Sequence, residues 1–124
     1  MEKKSVVRSV EDLDVYRKAY ALALEVHKFT LGLPKIEQYA LGDQMRRASK
    51  SVCANLAEGF ARQRASSAEF HRFLVMAVSS GDEMRVWLSF CRDLGYLSQE
   101  TAQAWRGDCA EIARMLNGLK NKWR

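Results

Sequence analysis

The sequence predicts an all-α fold: an antiparallel, up-down-up-down four-helix bundle in a single domain. Three observations carry this. The 124 residues include one proline and seven glycines, too few chain-turning residues for an all-β sandwich. Strong helix formers such as Ala, Leu, Glu, Arg, Lys and Met dominate the composition. Apolar residues recur at spacings of three and four in four long segments joined by three short breaks, the pattern of an antiparallel bundle. The length is that of one domain and allows a hydrophobic core without covalent staples.

Residues 1–10 read as a short polar arm and residues 11–124 as the bundle. A first helix is expected over about 11–33, ended by Pro34, because proline disfavours helix at the residue before it. Its apolar face is Leu13, Tyr16, Tyr20, Ala23, Leu24 and Leu31. A second helix is expected over about 36–63, with Leu41, Met45, Ala48, Val52 and Leu56 inward and Asn55 and Gly59 on the same stripe. A third runs over about 67–94, opened by Ser66 or Ser67 as N-cap and closed by Gly95 in a left-handed cap. Its inward face is Phe70, Phe73, Leu74, Ala77, Met84, Leu88 and Cys91. A fourth, over about 99–120, starts at Ser98 and carries a coiled-coil-like stripe of Ala102, Trp105, Cys109, Ile112, Leu116, Leu119 and Trp123.

Polar positions on the second helix stand out. Gln44, Ser51, Asn55 and Glu58 share a ridge with Arg62, and polar groups at a packed face need partners. They are expected to form a hydrogen-bonded network that sets the register of the bundle. Ala54, Ala57 and Ala61 on this helix, and Val75, Val86 and Phe90 on the next, lie opposite the core stripes. This second apolar face is expected to be an oligomer interface.

Chemistry-bearing motifs are sparse. Neither glycine-rich phosphate loops nor the H-E-x-x-H and G-x-S-x-G patterns occur. His27 and His71 fall on different helices without metal-site spacing, so no metal, cofactor or catalytic residue is expected and the protein reads as no enzyme. Cys53, Cys91 and Cys109 are an odd number at wide spacing, neither a disulfide framework nor a zinc pattern. With no apolar run near the ~20 residues of a membrane span and no signal-peptide pattern, a soluble cytoplasmic chain is expected, with free buried thiols.

Charge is the main functional signal. The net charge is +5, and residues 35–65 hold six cations against three acids. Arg46, Arg47 and Lys50 form a cluster, with Arg46 and Lys50 one turn apart and expected to face outward. Arg62 and Arg64 continue the basic character, and Lys120, Lys122 and Arg124 add a basic tail. Cations on an exposed helix neutralise phosphates and release counterions. Set against this are helical ion pairs, expected at Asp43–Arg47 and Glu58–Arg62.

Several stretches resemble one known family. Leu33-Pro34-Lys35-Ile36-Glu37-Gln38-Tyr39-Ala40-Leu41 resembles its "fP..E.ygL" signature, and Gln44-Met45-Arg46-Arg47-Ala48 its "Q.rrA". Ser51 through Gly59 resembles "S...NIAEG", Ser66 through Leu74 resembles "s..ef..fL", and Leu94-Gly95-Tyr96-Leu97 resembles "lgyl". The family comprises small four-helix-bundle proteins of intervening sequences in large-subunit ribosomal RNA genes. It includes the accessory variability protein of diversity-generating retroelements. The resemblance implies a ring-shaped homopentamer, a basic surface that binds RNA, and, for the retroelement members, a reverse transcriptase as partner. The expected function is therefore a non-enzymatic, oligomeric RNA-binding accessory protein of mutagenic retrohoming. The alternative is a structural or protein-interaction oligomer without a nucleic-acid role.

Overall fold

The computed structural model describes residues 7–122. The described residues form helices and no strands: a 3-10 turn Val10–Asp12, then α1 (Asp14–Thr30), a single turn α2 (Lys35–Gln38), α3 (Leu41–Arg62), α4 (Ser67–Asp93) and α5 (Gln99–Lys122). Each long helix packs on the next, and α1 also touches α5, so the four long helices close around one core.

Local chemistry sets the breaks. The expected first helix, 11–33, begins instead with the 3-10 turn. The Asp12 carboxylate accepts the backbone N–H groups of Arg8 and Ser9 at 2.8 and 3.1 Å, and these bonds hold its carboxyl below the usual range. The expected second helix, 36–63, is split. Ala40 leaves helical geometry at φ −119°, ψ −100°, separating α2 from α3. The Ser66 hydroxyl accepts the Glu69 N–H at 3.1 Å and opens α4. Gly95 takes φ 83°, and the Tyr96 N–H returns to the Cys91 carbonyl at 2.9 Å, closing it as the glycine predicted. Ser98 accepts the Thr101 N–H at 3.1 Å to start α5.

The core holds the inward stripes expected for α3, α4 and α5: Met45, Leu56, Leu74, Met84, Leu88 and Leu116 are fully buried. Trp123 lies outside the described residues. The stripe expected for α1 is corrected. Of the expected residues Ala23 is buried and Leu13 and Tyr16 pack half-buried against the core, while Tyr20, Leu24 and Leu31 are exposed; Val15, Ala19, Leu22 and Val26 face inward in their place. The α1 sequence carries two apolar faces about one residue apart. The compact aliphatic face packs inward, and the edge bearing Tyr20 and Leu24 stays at the surface, where the Tyr20 hydroxyl needs no buried partner.

Gly59 sets the approach of α3 to α4. A β-carbon built there would lie 2.7 Å from the Phe73 β-carbon and 3.1 Å from the Phe70 ring. Any side chain at residue 59 would force the two helices apart. Lys18–Asp108 at 3.4 Å and Trp105 Nε1 donating to Glu25 at 3.1 Å tie α1 to α5.

Candidate nucleic-acid interface

The basic residues singled out from the sequence separate into two groups by what their side chains touch. Arg46 was expected to face outward and does not. Its guanidinium reaches back over the α1–α2 connection, with Nη1 donating to the Thr30 hydroxyl at 2.8 Å and Nη2 to the Gln38 carbonyl at 2.5 Å. Thr30 is fully buried and its hydroxyl donates in turn to the His27 carbonyl at 2.7 Å. The Gln38 side chain donates to the carbonyls of Thr30 and Leu33, both at 2.8 Å. Arg46 therefore clasps the Thr30 hydroxyl at the end of α1 and the Gln38 carbonyl at the end of α2, while the Gln38 amide takes the carbonyls left open where α1 ends.

Glu37 completes this end of the bundle. Its carboxylate accepts the Leu41 N–H at the start of α3 and the Tyr96 hydroxyl at 3.0 Å from the α4–α5 connection. That bond, together with the neighbouring negative charge, pushes the Tyr96 phenol above its ordinary value.

Arg62 is also occupied. It pairs with Glu58 at 2.8 Å, as its spacing predicts, and with Glu69 at 3.9 Å. Its guanidinium lies 5.2 Å from the Phe73 ring centre, which Arg72 approaches at 4.7 Å. The expected Asp43–Arg47 pair does not form among the described residues.

The remaining cations are unpaired among the described residues. Arg47 and Lys50 are exposed on α3. Lys50 lines a groove of about 460 Å³ between α1 and α3, whose walls include Tyr20, Leu24, His27 and Ala54. At the other end of α3, Arg64 and Lys122 line a common groove of about 300 Å³ although they are far apart in sequence. Arg8 lines a neighbouring groove beside Arg64 and Ala61. Lys120 is half-buried on the last turns of α5. Arg124 lies outside the described residues. Arg8 and Tyr20 were missed from the sequence, since nothing local marks Arg8 as sharing a groove with Arg64 or Tyr20 as sharing one with Lys50.

The expected polar network forms in part. Ser51 and Ser80 share a hydrogen bond of 2.9 Å between α3 and α4, and the Asn55 amide donates to the Ser51 carbonyl and hydroxyl, both at 2.9 Å. Gln44 is exposed and stands apart from it, and Glu58 turns to Arg62. The expected apolar face divides as well. Val75, Val86 and Phe90 are exposed on α4. Ala54 and Ala57 instead line the α1–α3 groove, because the exposed face of α1 supplies its other wall.

The cysteines are buried and free. Burial pushes the thiols of Cys53, Cys91 and Cys109 each up to about 11. No group of three or more His, Cys, Asp or Glu among the described residues could hold a metal ion. No described helix is long and apolar enough to cross a membrane.

A small α-helical bundle with unpaired cations at two places on its surface is the class of protein that this arrangement defines. The profile of one family, described as 23S rRNA-intervening sequence protein, matches residues 11–118, and the chain belongs to that family. Its fold is similar to that of a Bacteroides thetaiotaomicron protein of unknown function from the S23 ribosomal protein family, known from a crystal structure. The two share 24% identity over 86% of this chain and 97% of the other, with a TM-score of 0.75. No curated protein matches the chain.

Proposed function

We propose that the protein is a non-enzymatic, oligomeric RNA-binding accessory protein that holds RNA by its phosphate backbone. The observation that carries this reading is the set of cations left without ion pairs among the described residues: Arg47 and Lys50 on α3, Arg64 and Lys122 lining one groove beyond the end of α3, and Lys120 on the last turns of α5. An unpaired surface cation can exchange its counterions for phosphates at no cost in broken salt bridges. Arg46 and Arg62 have protein partners and take no part. Membership of a family named for 23S rRNA intervening sequences points toward RNA as the polyanion.

In this reading the four long helices run up-down-up-down, and copies assemble into a ring-shaped homopentamer in the cytoplasm. The exposed α4 residues Val75, Val86 and Phe90 supply apolar contact between copies. A ring multiplies the basic surfaces and raises avidity without new contacts. The resemblance to the retroelement accessory protein makes a reverse transcriptase the polymerase partner in mutagenic retrohoming. Nucleophilic chemistry by the cysteines is disfavoured by the burial that pushes their thiols up to about 11.

The test is fluorescence anisotropy with a structured ribosomal RNA fragment across a salt series, with native mass spectrometry of the same samples. A pentamer is expected, with affinity falling steeply as salt rises. Arg64→Gln with Lys122→Gln should flatten the salt slope by about 1 per lost phosphate contact. A pentamer that ignores RNA at low salt overturns the RNA reading in favour of a protein-interaction oligomer, for which the exposed α4 residues are the specific support.

A further inference from the structure

We infer that the α1–α3 groove is a subsite for an unpaired nucleobase, with Tyr20 as the stacking face and Lys50 as the phosphate anchor. This rests on the RNA reading and adds to it a preference for single-stranded over duplex RNA.

The groove combines two features that a base and its phosphate need. Its apolar wall is aromatic: Tyr16 and Tyr20 stack at 6.0 Å between ring centres and 27° between planes. Tyr16 thereby braces Tyr20 from within, while Tyr20 remains 50% exposed. Leu24 and Ala54 extend the apolar surface, and a side chain as small as Ala54 leaves room for a planar ring against it. At the same groove stand Lys50, which has no ion pair among the described residues, and His27. A volume of about 460 Å³ falls within the range of small-molecule sites.

Backbone binding alone does not explain why a surface otherwise rich in cations keeps a half-exposed, braced tyrosine beside an unpaired lysine. Aromatic faces accept any base, because every base has a π-face, whereas duplex RNA keeps its bases stacked on one another. The subsite therefore discriminates by strandedness and not by sequence.

The experiment compares a uridine-rich single strand with a duplex of equal length, using the full chain and the variant Tyr20→Leu, with circular dichroism confirming the helical fold. Leucine preserves apolar area but removes the π-face. Single-strand affinity is expected to fall about tenfold in Tyr20→Leu, with duplex affinity unchanged. Photocrosslinking of a 4-thiouridine-labelled strand is expected to mark the tryptic peptide 19–28, which contains Tyr20 and His27. Equal loss on both RNAs, no loss on either, or crosslinks confined to peptides bearing Arg64 or Lys122 overturns the subsite and leaves backbone binding standing. Absence of binding to both RNAs by the unaltered protein overturns the two together.

Discussion

Arg46 donates through Nη1 to the hydroxyl of buried Thr30, 2.8 Å away, and so closes the C-terminal end of α1 from a position on α3. Removing the side chain strips a partner from that hydroxyl and from the Gln38 carbonyl. Arg46→Ala is expected to cost about 1–3 kcal/mol in urea unfolding. Arg46→Lys should recover little, because an ammonium cannot reproduce the two-pronged geometry. Arg47→Gln, at an exposed neighbour without an ion pair, should leave stability unchanged while weakening RNA binding. A stable Arg46→Ala variant with reduced RNA affinity would return Arg46 to the phosphate surface.

Glycine positions should respond in opposite directions. Gly59→Ala places a β-carbon 2.7 Å from that of Phe73. Overpacking of this kind costs about 1–3 kcal/mol, against a gain of roughly 1 kcal/mol in helix propensity. The net expectation is destabilisation, visible as a lower Tm. Gly107 and Gly118 on α5 meet nothing within 4 Å. Gly107→Ala and Gly118→Ala should each raise stability by up to about 1 kcal/mol.

The Tyr96–Glu37 contact makes stability depend on pH at the alkaline end. The folded-state pKa of Tyr96 is raised, chiefly by its hydrogen bond to Glu37. A raised value means that the contribution is complete below the unfolded phenol pKa of about 10 and is lost as pH climbs through the folded value. Urea midpoints of the native protein and of Tyr96→Phe should therefore differ at pH 8 and converge above pH 10. A gap that persists unchanged into strong alkali would show that the hydroxyl contributes nothing through this bond.

The three thiols should be silent toward a disulfide reagent such as DTNB in the native state at pH 8. Burial holds each near 11, which leaves little thiolate at that pH. Unfolding in guanidinium should release all three at once if the bundle unfolds cooperatively. Fast native labelling of any one would mark a local opening of its helix.

Much of the fold was legible in the residues themselves. The stripes of α4 and α5 are regular enough that one face alone could be buried, and Ser66 and Gly95 mark the ends of α4 by local backbone chemistry. The α1 stripe was legible only in part because Tyr20 and Leu24 repeat with the same helical period as Val15, Ala19, Leu22 and Val26. Periodicity reports that an apolar face exists, and it cannot choose between two of them. The break at Ala40 went unseen because no proline marks it; Arg46 on α3 and Tyr96 after α4 hold Gln38 and Glu37 there from distant places in the chain.

The sequence by itself determined an all-helical bundle, its element boundaries to within a few residues apart from the break at Ala40, its cationic excess and its likeness to the family. These follow from spacing, composition and capping, each of which acts over a few neighbouring residues. Tertiary structure alone decided which cations are available. Arg46 and Arg47 are adjacent and chemically identical, yet one clasps Thr30 and Gln38 while the other is exposed, because successive helical side chains point about 100° apart and only one direction meets the end of α1. Only the packed bundle brings Lys122 and Arg64 to one groove, and Tyr20 and Lys50 to another, because the members of each pair are far apart in sequence and no local pattern encodes the grooves they line.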